Sequence, residues 1–239
     1  MESFMEGILI QETQPSRVKR KRKDSSKKAL PSKFLNVPKR KLKRAKLKRG
    51  FDFFTSLILF IAVFSWLFPL IGLIIKLDSK GPVFFRQLRH GKDNVPFYCY
   101  KFRSMYENGE SDTKQATKND ARITRIGRFL RASSLDELPQ FINVLLGEMS
   151  IVGPRPHTIS MNDKFSEEID NFMYRHTVKP GITGLAQAKG FRGETKDFFD
   201  INSRCKLDIF YIDNWSLILD IKIIFWTFLS LILKKTDVY

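Results

Sequence analysis

The stretch of sequence that decides the fold is FFTSLILFIAVFSWLFPLIGLII at residues 53–75, a run of 23 residues without a charge. About 20 apolar residues match the ~30 Å hydrocarbon core of a bilayer, so this run predicts a membrane helix. Both flanks are basic, and basic residues favour the cytoplasmic side. Pro69 removes a helix hydrogen bond and favours a kink. The run therefore predicts a re-entrant helix over residues 51–76, broken near Pro69, with a kinked straight span as the alternative.

Positive charge is concentrated before this run. Residues 1–50 hold 17 of the 42 Lys and Arg residues against four acids, and the other 189 residues carry 25 basic and 21 acidic side chains. Such a segment cannot bury enough apolar surface to offset its ordering entropy, so residues 1–50 are predicted to be a disordered basic arm. The arm is interpreted as a solvated tail, a nucleic-acid-binding arm, or a segment that lies on anionic lipid headgroups beside the membrane helix.

The remaining residues, 77–239, predict an α+β domain that is mostly helical with short strands. Extended segments are expected at 83–86 and 97–102, separated by a turn-rich GKDN. Helices are expected from residue 123, from about 133–137 and over 162–175, and the loop KPGITG at 179–184 interrupts the pattern.

The C-terminal stretch at 215–233 is apolar but contains Asp220 and Lys222. Its longest uncharged run, residues 223–233, is 11 residues long and too short to span a bilayer. With its aromatic residues the stretch predicts a helix that lies in the membrane interface. Burial against the core of the domain is the alternative.

The small numbers of cysteine and histidine residues limit which disulfides and metal sites the chain can form. The chain has two cysteines, Cys99 and Cys205, which exclude a disulfide scaffold and a four-cysteine zinc site. Its three histidines make a His-built metal centre a poor explanation.

The acidic pair Asp136-Glu137 lies in SSLDELPQ at residues 133–140. In a structural interpretation, Ser134 and Glu137 have the spacing of a capping box at a helix start. In a functional one, adjacent carboxylates share a divalent cation, for which hard oxygen ligands select Mg²⁺, and the backbone N–H groups of the helix start receive a phosphate. Pro139 fixes that start close to the pair.

Basic residues precede and follow this pair. Lys101 and Arg103 end the second extended segment. Four arginines recur every three residues before the pair: Arg122, Arg125, Arg128 and Arg131. A solvated helix face is the alternative explanation for these four. Arg155 differs, because the prolines on both sides restrict its backbone and preorganise a phosphate clamp. With the carboxylates and the membrane anchor, these arginines indicate phosphoryl transfer at a bilayer surface.

Four motifs carry a resemblance to a known family: KFRSM at 101–105, SLDELPQ at 134–140, GEMSIVGPRP at 147–156 after Asn143, and KPGITGLAQ at 179–187. From about residue 48 to near its end, the chain resembles the bacterial sugar transferases, which are monotopic phosphoglycosyl transferases that act on polyprenyl phosphate. DIFYIDNWS at 208–216 resembles the branch that begins exopolysaccharide or capsule synthesis with a hexose phosphate.

The resemblance implies a reaction and its partners. Family members move a sugar-1-phosphate from a UDP-sugar to undecaprenyl phosphate and release UMP, with Mg²⁺ and a covalent phosphosugar-aspartate intermediate. The implied partners are the UDP-sugar, undecaprenyl phosphate and membrane lipids, with no nucleic acid, and the implied location is the cytoplasmic face of the inner membrane. Glucose or galactose is favoured as the sugar, N-acetylated sugars stay open, and a homodimer packed through the C-terminal segment is a further hypothesis.

Carried onto this sequence, the resemblance makes Asp136 the nucleophile and Glu137 its partner in binding Mg²⁺. A carboxylate needs no base to act as a nucleophile at neutral pH. Arg155 corresponds to a phosphate-binding position of the family. The further candidates for binding phosphate or nucleotide are Lys101, Arg103, Arg128 and Gln187.

Two departures from the family pattern stand out. Many members have serine directly before the helix-breaking proline, whereas this chain has Phe68-Pro69 with Ser65 one turn earlier. A serine hydroxyl satisfies a carbonyl that proline frees. Longer members carry several N-terminal spans and an extra soluble domain, so this chain is expected to be a minimal catalytic version.

Two functions from other classes compete with the enzyme. A non-catalytic membrane scaffold would use the arm and anchor for lipid binding, with Asp136-Glu137 only as a helix cap. A nucleic-acid-binding protein would rely on residues 17–49 and would bind in a salt-sensitive way. The apolar run argues against the second, since a soluble binder has no use for it.

Overall fold

The computed structural model describes residues 39–107, 117, 120–191 and 198–233. The chain divides into two compact units, Met1–Lys43 and Arg44–Tyr239, and every contact given below lies within the second. Most of the predicted basic arm lies outside the described residues. Its last part is helical, because helix α1 (Lys39–Leu59) begins there, so the predicted boundary of the disordered arm at residue 50 is wrong. Lysine, arginine and leucine, which dominate this part, are good helix formers.

The apolar run forms a helical segment in three parts. Helix α1 is followed by a turn of π-helix at Phe60–Phe64 and by helix α2 (Ser65–Asp78). Within it, Ala45–Asp78 is 34 residues long and is the one helix of the described chain long and apolar enough to cross a membrane. The predicted membrane helix is confirmed in length and composition, and its re-entrant course stays a prediction.

The backbone departs from α-helical geometry before Pro69 rather than at it. Pro69 lies inside α2, where its ring crowds the carbonyl of Ser65 and offers it no N–H. One turn earlier the helix widens, because the N–H of Ser65 bonds to the carbonyl of Phe60, five residues back. The hydroxyl of Ser65 donates to the carbonyl of Ile61 at 2.8 Å. Ser65 thus supplies the additional donor that a distorted helix needs where lipid offers none.

From the π-helical turn through α2, both faces of the helix are apolar, but only one is covered by protein. The covered face packs against Phe102 and Leu130. It consists of Phe64, Phe68, Ile71 and Ile75. The opposite face is exposed and includes Ile61, Trp66, Leu70, Leu73 and Leu77. A helix that is apolar all round needs a second apolar environment, and the exposed face has the composition of a lipid-facing surface.

Two small sheets follow the membrane helix. Strands β1 (Phe84–His90) and β2 (Pro96–Phe102) form an antiparallel hairpin in which Gln87 pairs with Cys99, so the two predicted extended segments are confirmed. Strands β3 (Ser150–Val152) and β4 (Gly181–Thr183) pair in parallel. The second of these lies in the segment predicted as a loop. Together with the helices, the short strands confirm the predicted α+β class.

The helices between and after the strands are short. Helix α3 (Arg125–Ala132) confirms the helix expected from residue 123, helix α4 (Gln140–Leu146) follows a 3-10 turn at Leu135–Glu137, and helix α6 (Leu185–Ala188) follows β4. Helix α5 (Ile159–Glu168) is shorter than the helix predicted over 162–175. It ends because Ile169 is extended and Asn171 adopts a left-handed φ of 60°, after which Phe172–Thr177 forms a 3-10 turn.

Helices α7 (Phe198–Asp213) and α8 (Leu217–Ile232) end the described chain. One face of α8 is buried against the second sheet, where Thr227 and Thr183 share a hydroxyl hydrogen bond of 2.6 Å. The other face is exposed and apolar, with Ile218, Ile221, Phe225, Phe228 and Ile232. The buried face of α8 agrees with burial against the domain, and the exposed apolar face agrees with a helix in the membrane interface. The position of α8 in that interface stays a prediction.

A buried carboxylate joins α8 to the membrane helix. Asp220 is fully buried and accepts hydrogen bonds from Lys48 of α1 at 2.8 Å, from Tyr211 at 2.8 Å and from Trp215 at 3.0 Å. One turn along α1 from Lys48, Asp52 accepts the N–H of Ile151 in β3 at 3.1 Å. The membrane helix is therefore bonded directly to the second sheet and to the C-terminal helices.

We expect Asp220→Ala to lower the free energy of unfolding by about 3 kcal/mol, because it leaves a lysine and two further donors without their buried acceptor. Thermal and denaturant unfolding of the protein in detergent micelles measures the loss. Lys92→Ala, which removes an exposed pair with Asp93 at 3.7 Å, is the control and should change stability by less than about 1 kcal/mol. Equal effects of the two substitutions would contradict the structural role of Asp220.

Candidate active site

The site is built around Glu137, the last residue of the 3-10 turn. Its carboxylate accepts a bond from the ammonium group of Lys101 at 2.7 Å. The guanidinium of Arg155 donates two bonds to it, at 2.7 Å and 3.1 Å. Lys101 belongs to β2 and Arg155 to the loop after β3, so one buried carboxylate joins three separate segments through charge-assisted bonds.

Electrostatics keep this cluster ionised. Burial alone raises the pKa of Glu137, but the charges of Arg155 and Lys101 outweigh burial and hold that pKa well below its ordinary value. The charge of Glu137 in turn raises the pKa of Arg155. One anion and two cations leave the cluster with a net positive charge, which suits an anionic ligand such as a phosphate.

The capping-box interpretation of this motif is wrong. Ser134 adopts a left-handed φ of 58° and its side chain makes no cap hydrogen bond. Helix α4 begins only at Gln140, after Pro139, which is later than the predicted start at about 133–137. The side chain of Glu137 binds the cations of Lys101 and Arg155 instead.

Asp136 lies beside this cluster with a different environment. The residue is 6% exposed, and no hydrogen bond to its carboxylate is found among the described residues. Burial raises the pKa of Asp136, the charge of Lys101 opposes this rise, and the charge of Glu137 adds to it. Two adjacent carboxylates therefore differ chemically: Glu137 is bound and strongly ionised, whereas Asp136 accepts no hydrogen bond from the part of the chain that the structure describes.

The loop that carries Arg155 is fixed by the second sheet. The N–H of Gly153 donates to the carbonyl of Thr183 at 2.8 Å, and the carbonyl of Pro154 accepts the N–H of Gly181 at 2.9 Å. A Cβ atom on Gly153 would lie 2.6 Å from the carbonyl oxygen of Lys179, so only glycine permits this approach. The motifs at 147–156 and 179–187, separated in sequence, thus form one structural unit.

The other predicted ligands make no hydrogen bond to either carboxylate among the described residues, and two of them bind backbone elsewhere. The buried guanidinium of Arg103 donates to the carbonyl and the hydroxyl of Ser79 at 2.6 Å and 2.9 Å. Arg128 is exposed on α3. The buried amide of Gln187 donates to the carbonyl of Ile182 at 3.2 Å. Of the five predicted phosphate or nucleotide ligands, the structure brings Lys101 and Arg155 to Glu137.

Sequence reasoning did not single out Arg131, Arg175 or His157. Arg131 belongs to the arginine series before the pair, and its charge lowers the pKa of Asp136; the spacing alone could not separate it from Arg128. Arg175 forms a buried pair with Asp208 at 2.6 Å. No local pattern reveals this pair because 33 residues separate its members.

The site could hold Mg²⁺ only if substrate phosphates and water completed its coordination. Among the described residues, no group of three or more His, Cys, Asp or Glu side chains is placed to hold a metal ion. Mg²⁺ is usually held by one or two carboxylates together with substrate phosphates and water. Within the described residues no donor occupies the carboxylate oxygens of Asp136, whereas both oxygens of Glu137 already accept bonds from Lys101 and Arg155.

Comparison with known proteins gives several matches. The chain is 50% identical over 191 residues to the UDP-glucose:undecaprenyl-phosphate glucose-1-phosphate transferase of Klebsiella pneumoniae, covering 79% of this chain and 41% of that protein. It is 46% identical over 189 residues to the exopolysaccharide production protein PSS of Rhizobium leguminosarum bv. phaseoli, covering 77% of this chain and 94% of that protein.

A third relative has a different sugar in its name. The chain is 46% identical over 182 residues to the UDP-N-acetylgalactosamine-undecaprenyl-phosphate N-acetylgalactosaminephosphotransferase of Aeromonas hydrophila, covering 76% of this chain and 42% of that protein. The chain spans about two-fifths of the length of this relative and of the Klebsiella protein.

The family comparison covers the site and the membrane helix together. The model of the family "Bacterial sugar transferase" matches residues 43–234. That range includes the apolar run, the acidic pair and the loop that carries Arg155. The family and the apolar helix together indicate membrane association. The chain belongs to the bacterial sugar transferase family.

Proposed function

We propose that this chain transfers a sugar-1-phosphate from a UDP-sugar to undecaprenyl phosphate, with release of UMP. The observation that carries the proposal is the buried carboxylate of Asp136, which has no hydrogen-bond donor among the described residues and lies beside the cationic cluster of Lys101, Glu137 and Arg155. The names of two relatives specify this kind of transfer, one with glucose and one with N-acetylgalactosamine.

The donor diphosphate is bound by the cations of the cluster. Lys101 and Arg155 already hold their charged groups at Glu137, so little reorganisation accompanies binding of an anionic diphosphate. Glu137 orients both cations and reduces their mutual repulsion. The side chain of Arg155 is 29% exposed, so its guanidinium is reachable by a ligand without leaving Glu137.

The transfer proceeds in two displacements at phosphorus. A carboxylate oxygen of Asp136 attacks the phosphorus that bears the sugar, a new P–O bond forms, and the bond to the bridging oxygen breaks with its electron pair leaving on UMP. A phosphate oxygen of undecaprenyl phosphate then attacks the same phosphorus. The bond to Asp136 breaks, which restores the carboxylate and gives the undecaprenyl diphosphate sugar.

Mg²⁺ is proposed as the cofactor, held by Asp136 with Glu137 beside it. When bound, the ion neutralises charge on the diphosphate and on the leaving UMP. The protein side chains bind and orient the phosphates around it. Asp136 would supply carboxylate oxygens to the ion, and Lys101 and Arg155 would bind the phosphate groups.

The membrane helix brings this chemistry to its lipid acceptor. An active site near the headgroups meets the phosphate of undecaprenyl phosphate without extracting the lipid, which converts an unfavourable encounter into an oriented one. We place the domain on the cytoplasmic face, because the residues on both sides of the apolar run are basic. A re-entrant course of the helix agrees with that placement.

We expect Asp136→Asn to lower UMP release by on the order of 10³-fold or more, because the amide is a poor nucleophile of nearly the same shape. UMP is measured with purified protein in nanodiscs that contain undecaprenyl phosphate and Mg²⁺, with UDP-glucose, UDP-galactose and UDP-N-acetylgalactosamine as donors. Removal of Mg²⁺ with EDTA should stop release by the unmodified protein. Asp163→Asn, an exposed substitution on α5, is the control and should retain activity.

Full activity of Asp136→Asn would exclude the covalent aspartate step while leaving the transfer itself intact. Failure of the folded unmodified protein to release UMP from any of the donors would instead contradict the proposed reaction. That result would favour the membrane scaffold.

We expect Glu137→Gln to lower the pKa of Asp136. The negative charge of Glu137 disfavours ionisation of Asp136, and its removal also leaves the charges of Lys101 and Arg155 less neutralised. NMR titration of ¹³C-labelled aspartate carboxyl groups, in EDTA so that no divalent cation binds, measures the shift. An unchanged or raised pKa would show that the two carboxyl groups do not interact as the structure indicates.

A further inference from the structure

Two guanidinium groups from other parts of the chain bind the segment at residues 155–157. Arg175 donates to the carbonyl of Arg155 at 3.0 Å, and its other terminal nitrogen lies 2.8 Å from Nδ1 of His157. Arg89 of β1 donates to the carbonyl of Pro156 at 2.5 Å. Each of three consecutive residues is therefore contacted by a guanidinium, and the first of them is the arginine that binds Glu137.

Arg175 is itself held firmly. The residue is 2% exposed, pairs with Asp208 of α7 at 2.6 Å, and lies 5.1 Å from the ring centre of Phe172. A guanidinium only donates hydrogen bonds, so Nδ1 of His157 must accept the bond from Arg175. Burial, together with the charge of Arg175, lowers the pKa of His157 well below its ordinary value, which agrees with a neutral, accepting ring.

These contacts restrict the backbone motion that would displace Arg155. Pro154 and Pro156 fix their own φ angles, and a residue before proline is confined to extended conformations. The prolines narrow the ψ angle of Arg155 but do not fix it within the extended region, and Arg175 binds the carbonyl that this angle orients. Arg175 has no hydrogen bond to Asp136 or Glu137 in the structure, so its contacts act on the loop and not on the carboxylates.

We propose that Arg175, held by Asp208 and His157, is a positioning residue that orients Arg155 toward Glu137 and the donor diphosphate. The expected effect of Arg175 on turnover rests on the proposed function. Its expected effect on the loop does not. Lysine at position 175 retains the positive charge but cannot reach the carbonyl of Arg155, His157 and Asp208 together, because its single ammonium lacks the planar fork of arginine.

Hydrogen exchange tests the effect on the loop directly. We expect Arg175→Lys to raise deuterium uptake by the amides of Gly153, Arg155 and His157, the residues of segment 153–157 that carry an N–H, in full-length protein in nanodiscs, while uptake in α1 and α2 stays unchanged. The matched control is Tyr174→Phe, which removes the hydrogen bond of the neighbouring Tyr174 to Asp213 at 2.8 Å between the same 3-10 turn and α7. The control should leave uptake at 153–157 unchanged.

A double-mutant cycle tests the effect on turnover. We expect Arg155→Lys and Arg175→Lys each to raise KM for the UDP-sugar that the unmodified protein uses, by about tenfold, with a smaller effect on kcat. The two substitutions together should raise KM no more than Arg155→Lys alone, since both act through the same guanidinium. Tyr174→Phe should leave KM and kcat unchanged.

Two results would overturn the inference: unchanged uptake at 153–157 in Arg175→Lys, or a double variant whose KM rises by the product of the single effects. Absence of turnover by the folded unmodified protein would contradict the proposed function, and the exchange measurement would then decide the positioning role alone. Higher uptake at 153–157 in Arg175→Lys, absent from Tyr174→Phe, would support that role even then.

Discussion

The arrangement of the site depends on one constraint: the buried charge of Glu137 must be compensated. An uncompensated carboxylate at this depth is strongly destabilising, so Lys101 and Arg155 are required where they lie. Their convergence sets the relative positions of the hairpin, the 3-10 turn and the loop after β3. It also gives Asp136 a fixed place beside a cationic cluster without using its own carboxylate for structure.

Support for the Arg155 loop extends in layers to the membrane helix. The second sheet binds the loop through Gly153 and Gly181, and Asp52 of α1 binds β3 of that sheet. Asp220 connects the same helix to the C-terminal helices. The membrane segment is therefore part of the scaffold of the site and not only its anchor.

Features encoded locally could be predicted from the sequence. The uncharged run predicted the membrane helix, aromatic and β-branched residues on both sides of a turn-rich stretch predicted two extended segments, and two prolines marked Arg155 as a fixed cation. Contacts between distant segments could not be predicted. Glu137 has the spacing of a helix cap, and only the approach of β2 and the loop after β3 shows that its side chain binds two cations. The widened turn before Pro69 escaped prediction because it depends on the choice of Phe60 as the acceptor for Ser65.

Lys48 and Asp52 of α1, which bond to the rest of the domain, have a consequence for protein engineering. A water-soluble form made by deleting the membrane helix would lose the acceptor of the Ile151 amide and the counter-ion of Asp220. It would also uncover the core that Phe64 and Phe68 close. Solubilisation must therefore redesign the outward surface alone: polar residues in place of Ile61, Trp66 and Leu73 would remove the need for detergent while the inward surface continues to support the catalytic domain.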